Sequence, residues 1–76
     1  MARHQVTTEE AEQVLRNDPL VVQFQDHASE ERVLCLGQTD RARLLAAVYV
    51  ERGQAIRVVT AYPMTRRQEG FYFKEQ

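Results

Sequence analysis

Residues 44–50 read Leu44-Leu45-Ala46-Ala47-Val48-Tyr49-Val50, apolar at every position. Successive side chains of a strand point to opposite faces, so an unbroken apolar run predicts a central strand covered on both sides, or covered on one by a partner. Glu51-Arg52-Gly53-Gln54 closes a hairpin after it, with Gly53 supplying the positive φ such a turn needs. Ala55 to Ala61 then alternates, with Ile56, Val58 and Thr60 on one side and Arg57, Val59 and Ala61 on the other. Pro63 ends that strand. Upstream, Glu31 to Gly37 alternates weakly, placing Val33 and Cys35 on one face and Leu34 and Leu36 on the other. Gly37-Gln38-Thr39-Asp40 is a turn by composition.

The flanks add helices. Thr7-Thr8-Glu9-Glu10 predicts a helix start in which Thr7 caps, Glu10 reaches back, and Val6 staples against Ala11. Ala11, Val14 and Leu15 share one face, with Glu9, Glu12, Gln13 and Arg16 toward water. Asn17-Asp18-Pro19 stops the helix after about three turns. Leu20 to Phe24 reads as a brief edge strand and residues 25–30 as a polar loop. Thr65-Arg66-Arg67-Gln68 repeats the capping pattern and predicts a second helix, although Gly70 and Phe71-Tyr72-Phe73 leave a strand open for the chain's end. The order is α-β-β-β-β-α, with links too short for parallel crossovers. The expected fold is α+β: a small antiparallel sheet of three to four strands, an N-terminal helix and a short C-terminal helix, in one domain spanning residues 1–76.

A chain of 76 residues offers room for one small core and no deep cleft, so dimerisation or a bound partner is expected to complement it. One cysteine, Cys35, cannot form an internal disulfide and suits a reducing cytoplasm. No apolar run approaches the roughly 20 residues needed to span a membrane, and no leader-like segment opens the sequence. The net charge of −1 hides an asymmetry: residues 41–76 hold seven basic residues against three acids, whereas residues 1–40 hold three against eight. Nine of the ten basic residues are arginine, which suits bidentate contact with phosphate or carboxylate.

Few residues suggest chemistry. Asp26, His27 and Ser29 lie too close together for the ordered hydrogen-bond chain of a triad and read as a solvated loop. Two histidines and one cysteine lack any metal-ligand spacing, and nothing calls for a cofactor. Cys35 reads as a small core residue rather than a nucleophile. Arg57, set among Ile, Val and Ala, has two readings: a cross-strand pair with Glu51 or another acid, or an anion site shared with Arg43, Arg66 and Arg67. A helix starting at Thr65 would point backbone N–H groups at the same anion. RNA cleavage through the 2′-hydroxyl needs a proton acceptor, a proton donor and cations over the phosphorane; Tyr62 or His4 supplies the proton transfer and Arg57, Arg66 or Arg67 the cations.

Taken together, several segments resemble the BrnT family of toxins. They are Arg3-His4-Gln5-Val6 leading to Glu9, Glu10, Ala11 and Val14-Leu15; Leu36-Gly37-Gln38-Thr39 with Arg43-Leu44-Leu45; Val48-Tyr49-Val50-Glu51-Arg52; and Ile56 to Ala61 with Met64-Thr65-Arg66-Arg67 and Tyr72. No single piece is specific, but they follow the family's order and spacing over nearly the whole chain. The resemblance implies a fold similar to the RelE-like ribonuclease toxins, an endoribonuclease activity, and an antitoxin partner of the ribbon-helix-helix type. It places His4, Arg43 and Arg57 at family-like positions. The chain departs from the family in lacking its first strand, in Ala42 where Gly is usual, in Tyr62 where Arg is usual, and in Gln68-Glu69 where Glu-Arg is common. The missing strand implies an unpaired sheet edge and self-association, through strand addition or through Phe71 and Phe73. A non-catalytic binding or dimerisation module of the same fold is the alternative.

Overall fold

The computed structural model describes residues 6–27 and 30–75, with the elements α1 (Thr8–Arg16), β1 (Leu20–His27), β2 (Glu30–Gln38), β3 (Leu44–Arg52), β4 (Ala55–Pro63) and α2 (Arg66–Glu75). The strands form one antiparallel sheet in the order β1-β2-β3-β4, which makes β3 interior as its apolar run requires. The α+β expectation holds, and the doubtful C-terminal stretch is helix. One difference concerns residues 25–30, expected as a loop: β1 runs on to His27 and β2 begins at Glu30. Pairing such as Gln25 with Arg32 carries the polar residues into the ladder, because backbone pairing requires no apolar side chain.

Each face of β3 meets a different helix. On the first face Val33, Cys35, Leu45, Ala47, Tyr49 and Ala61 form a core with Val6, Ala11 and Val14 of the α1 region. On the second, Leu36 and Ala46 pack with Met64 and with Tyr72 of α2. Among the described residues no helix is long and apolar enough to cross a membrane.

The start of α1 is fixed by its expected capping box: Thr7 Oγ1 accepts from the Glu10 backbone N–H at 3.0 Å, and Glu10 Oε1 accepts from that of Thr7 at 3.0 Å. Arg43, just before β3, donates through Nη1 to both oxygens of Glu10, at 3.1 and 3.0 Å. At the other end Asn17 Nδ2 donates to the Gln38 carbonyl and to Asp40 Oδ1, each at 3.0 Å. Thus both ends of α1 are tied to the loop between β2 and β3. Within that loop Thr39 Oγ1 accepts from the Arg43 backbone N–H at 3.0 Å, and Ala42 turns the chain at φ 64°.

Two neighbouring positions are expected to respond oppositely to small substitutions. A Cβ at Gly37 would lie 2.9 Å from Val14 Cγ1, a stiff β-branched contact, so Gly37→Ala overpacks the α1 interface and costs about 1–3 kcal/mol. Ala42→Gly relieves a left-handed residue and stabilises by roughly 1 kcal/mol. Urea unfolding measures both; equal midpoints for the two variants would refute the α1 packing and loop geometry.

The Glu10 carboxyl is held below its ordinary value, chiefly by the Thr7 backbone hydrogen bond and then by Arg43. A carboxyl with a lowered folded value stabilises fully above its unfolded value, here 4.5, and loses that contribution as pH falls through the folded value. Stability should therefore decline on acidification below that range, less steeply in Glu10→Gln. The comparison is urea unfolding at neutral and acidic pH; identical slopes would contradict it.

Candidate functional site

An extra residue in β4 decides what the second face presents. Val48 pairs with Thr60 while Tyr49 pairs with Val58, so Val59 is a bulge. Strict alternation across five residue steps would put Arg57 and Tyr62 on opposite faces. The bulge adds one unpaired residue and reverses the parity. Arg57 consequently pairs with Val50 and Tyr62 with Ala46, both on the α2 side, whereas Val58 joins Ala61 beneath α1. The expected grouping of Ile56, Val58 and Thr60 is corrected accordingly. No Gly marks the bulge, so the sequence carries no local signal for it.

Three cross-strand rows build this face: Leu36–Ala46–Tyr62, Leu34–Val48–Thr60 and Arg32–Val50–Arg57. The α2 helix packs over the first. At the hairpin end Arg32, Arg52 and Arg57 line a cleft of about 210 Å³ with Val50, Val58 and Val59. Val50 is only 1% exposed although it lies outside the cluster under α2; the arginine stems beside it shield it. Arg57 is exposed and makes no hydrogen bond or ion pair with the described residues. Its expected alternative partner, Glu51, pairs in register with Ile56 and faces the other side. Arg32 is half-buried, and its Nε is a buried donor with no acceptor among the described residues.

Toward α2 the polar groups differ. Thr65 caps the helix: its Oγ1 accepts from the Gln68 backbone N–H at 3.1 Å, and Gln68 Oε1 accepts from that of Thr65 at 2.9 Å. Gln68 Nε2 also donates to the Tyr62 hydroxyl at 3.2 Å, which orients the phenol. Arg66 and Arg67 open α2 and are exposed; Arg67 lines a shallow groove with Leu34, Leu36, Gln68 and Phe71.

The expected anion-binding residues thus fall into groups. Tyr62, Arg66 and Arg67 sit at the start of α2. Arg57 lies on the same face but roughly 13 Å back along the sheet, four β3 residues away in register (Val50 against Ala46) at a strand rise of about 3.3 Å per residue. Arg43 is on the opposite face, engaged by Glu10. His4 and Ser29 lie outside the described residues. The sequence reading missed Arg32 and Arg52. Arg32 shares parity with Leu34 and Leu36, a usable signal obscured by the acidic composition of the chain's first half.

Other candidates behave as structure. Burial pushes the Cys35 thiol up to about 11, so it stays protonated at neutral pH, as a core residue would. The larger cavity of about 670 Å³, at the far end of the sheet, is lined by Asp18, Asp40 and Glu75 among others and repels a phosphodiester. Among the described residues no group of His, Cys, Asp and Glu is arranged to hold a metal ion.

Comparison with known proteins gave one match. Residues 1–68 match the family described as the ribonuclease toxin BrnT of type II toxin–antitoxin systems. Neither the comparison with curated proteins nor that with solved structures found a match. The family match spans the N-terminal approach, α1, all of the sheet and the start of α2, so this chain belongs to the BrnT family of type II toxin–antitoxin ribonuclease toxins.

Proposed function

We propose that this protein is an active endoribonuclease toxin that works in the cytoplasm and is neutralised by a cognate antitoxin, a ribbon-helix-helix protein. The observation that carries the reading is the bulge at Val59, which aligns Arg57 and Tyr62 on one accessible sheet face together with Arg32. RNA cleavage at the 2′-hydroxyl needs no cofactor: a base takes the hydroxyl proton, an acid protonates the leaving oxygen, and cations stabilise the phosphorane. Tyr62, held by Gln68 at one end of the face, or His4 serves proton transfer. Arg66 and Arg67 flank that point, and Arg57 holds the RNA farther along β4. Arg43 is assigned a structural role instead, because its guanidinium bridges to Glu10 across α1.

The separation of Arg57 from Tyr62 favours a second reading, a non-catalytic binding module of the same fold that self-associates through an edge strand or through Phe71 and Phe73. Those rings are 46% and 57% exposed, an apolar surface that a homodimer contact or the antitoxin would cover.

Expression without a partner should arrest growth. Arg57→Met, which keeps an apolar stem over Val50, should abolish the arrest with a nearly unchanged thermal midpoint, since Arg57 has no partner to strand among the described residues. Tyr62→Phe should slow RNA cleavage by about 10²–10⁴-fold. Normal growth under strong expression of the wild type, with no RNA cleavage, would select the binding-module reading.

A further inference from the structure

We propose that Arg32, Arg52 and Arg57 form a phosphate-binding subsite for single-stranded RNA, separate from the Tyr62 end of the same face, so that the substrate lies extended along β3 and β4. This deepens the nuclease reading and rests on it only for the identity of the nucleic acid.

Geometry comes first. Arg32 and Arg57 flank Val50 in one cross-strand row, so their Cα atoms are about 10 Å apart at a strand spacing near 4.8 Å. Arginine side chains leaning inward from that separation can close on one tetrahedral anion. Arg52 reaches the same cleft from the hairpin end, two residues beyond Val50. Together they line a space of about 210 Å³, which suits a phosphate group and is too small for a nucleoside as well.

The second observation is the Arg32 Nε, a buried donor with no acceptor among the described residues. Buried polar groups are ordinarily paired, and each exception calls for an explanation. A stem packed over Val50 accounts for the burial but not for the unmet donor. An anion in the cleft accounts for both, because a phosphate oxygen accepts from guanidinium N–H groups in bidentate fashion.

Shape selects the strand. Between the arginine row and Tyr62 lies the Leu34–Val48–Thr60 row, half-buried and mostly apolar, a flat surface on which unstacked bases can rest. A duplex would turn its bases inward and leave this row unused, whereas a single strand offers base faces and phosphates together. The distance of roughly 13 Å from Arg57 to Tyr62 is then the reach of a few nucleotides, from a held phosphate to the cleaved one.

The test is binding of a fluorescent oligothymidylate, which lacks the 2′-hydroxyl and cannot be cut, as a function of salt. Each phosphate neutralised on a single strand contributes about −0.7 to the slope of log K against log salt. Arg32→Met and Arg57→Met keep an apolar stem over Val50 and remove the charge. Each is expected to weaken binding at least tenfold and to make the slope shallower by about 0.7, with the thermal midpoint nearly preserved. Arg16→Met, on an exposed turn of α1, should leave both quantities unchanged. A wild type that binds without salt dependence, unchanged slopes in both variants, or equal binding of a polyglutamate peptide of matched charge would overturn the subsite. Because the probe is uncleavable, arginine-dependent binding without any RNA cleavage upholds the subsite while the nuclease reading fails. Cleavage of RNA with unchanged slopes in both variants does the reverse.

Discussion

Burying β3 on both faces is the demand that shapes the rest of this protein. An apolar strand in the middle of a sheet needs cover above and below, and among the described residues two helices provide it. The α1 helix takes one face and is fastened at both ends, by Glu10 to Arg43 and by Asn17 to Gln38 and Asp40. The close approach of Val14 to Gly37 shows how tightly it sits. The α2 helix is short and covers only one end of the other face, around Leu36 and Ala46. What remains of that face must protect Val50 without a helix, and it does so with arginine stems. The uncovered half of the sheet is therefore also its most basic part, so that the incomplete core and the candidate RNA face have one cause.

Charge follows the sheet's two sides at the hairpin end. Glu51 pairs in register with Ile56 on the α1 side, and Val50 with Arg57 on the α2 side. A net charge of −1 over the whole chain thus says little about this end of the sheet, where Glu51 and Arg57 face opposite sides. The acid-lined cavity at the far end, with Asp18, Asp40 and Glu75, completes the separation. The arginine row and the acid-lined end therefore differ in the sign of their charge.

Much of this was legible in the sequence because local rules and the global fold agree. The run Leu44 to Val50 gave an interior strand, Thr7 with Glu10 and Thr65 with Gln68 gave both helix starts, and Gly53 gave the hairpin, where its φ is 61°. The site was only partly legible. Its residue types were evident in Arg57, Tyr62, Arg66 and Arg67, but their arrangement depends on a bulge at Val59 that no glycine announces. Side-chain parity in a strand has period two, so one inserted residue moves everything beyond it to the other face. Arg32 went unnoticed because it belongs to a different strand, and only the pairing with Val50 brings it beside Arg57. Arg43 was plausible by position and is occupied by Glu10, a contact made across thirty-three residues of sequence.

On the proposed reading one face of the sheet, and not the other, receives RNA. Arginine side-chain Nε–Hε resonances, followed by NMR while an uncleavable single-stranded oligonucleotide is added, report directly which face it occupies. Arg32 and Arg57 are expected to shift together and saturably, with Arg67 following, while Arg16 and Arg43 on the α1 side stay where they are. Shifts confined to Arg16 and Arg43, with Arg32 and Arg57 unmoved, would contradict it.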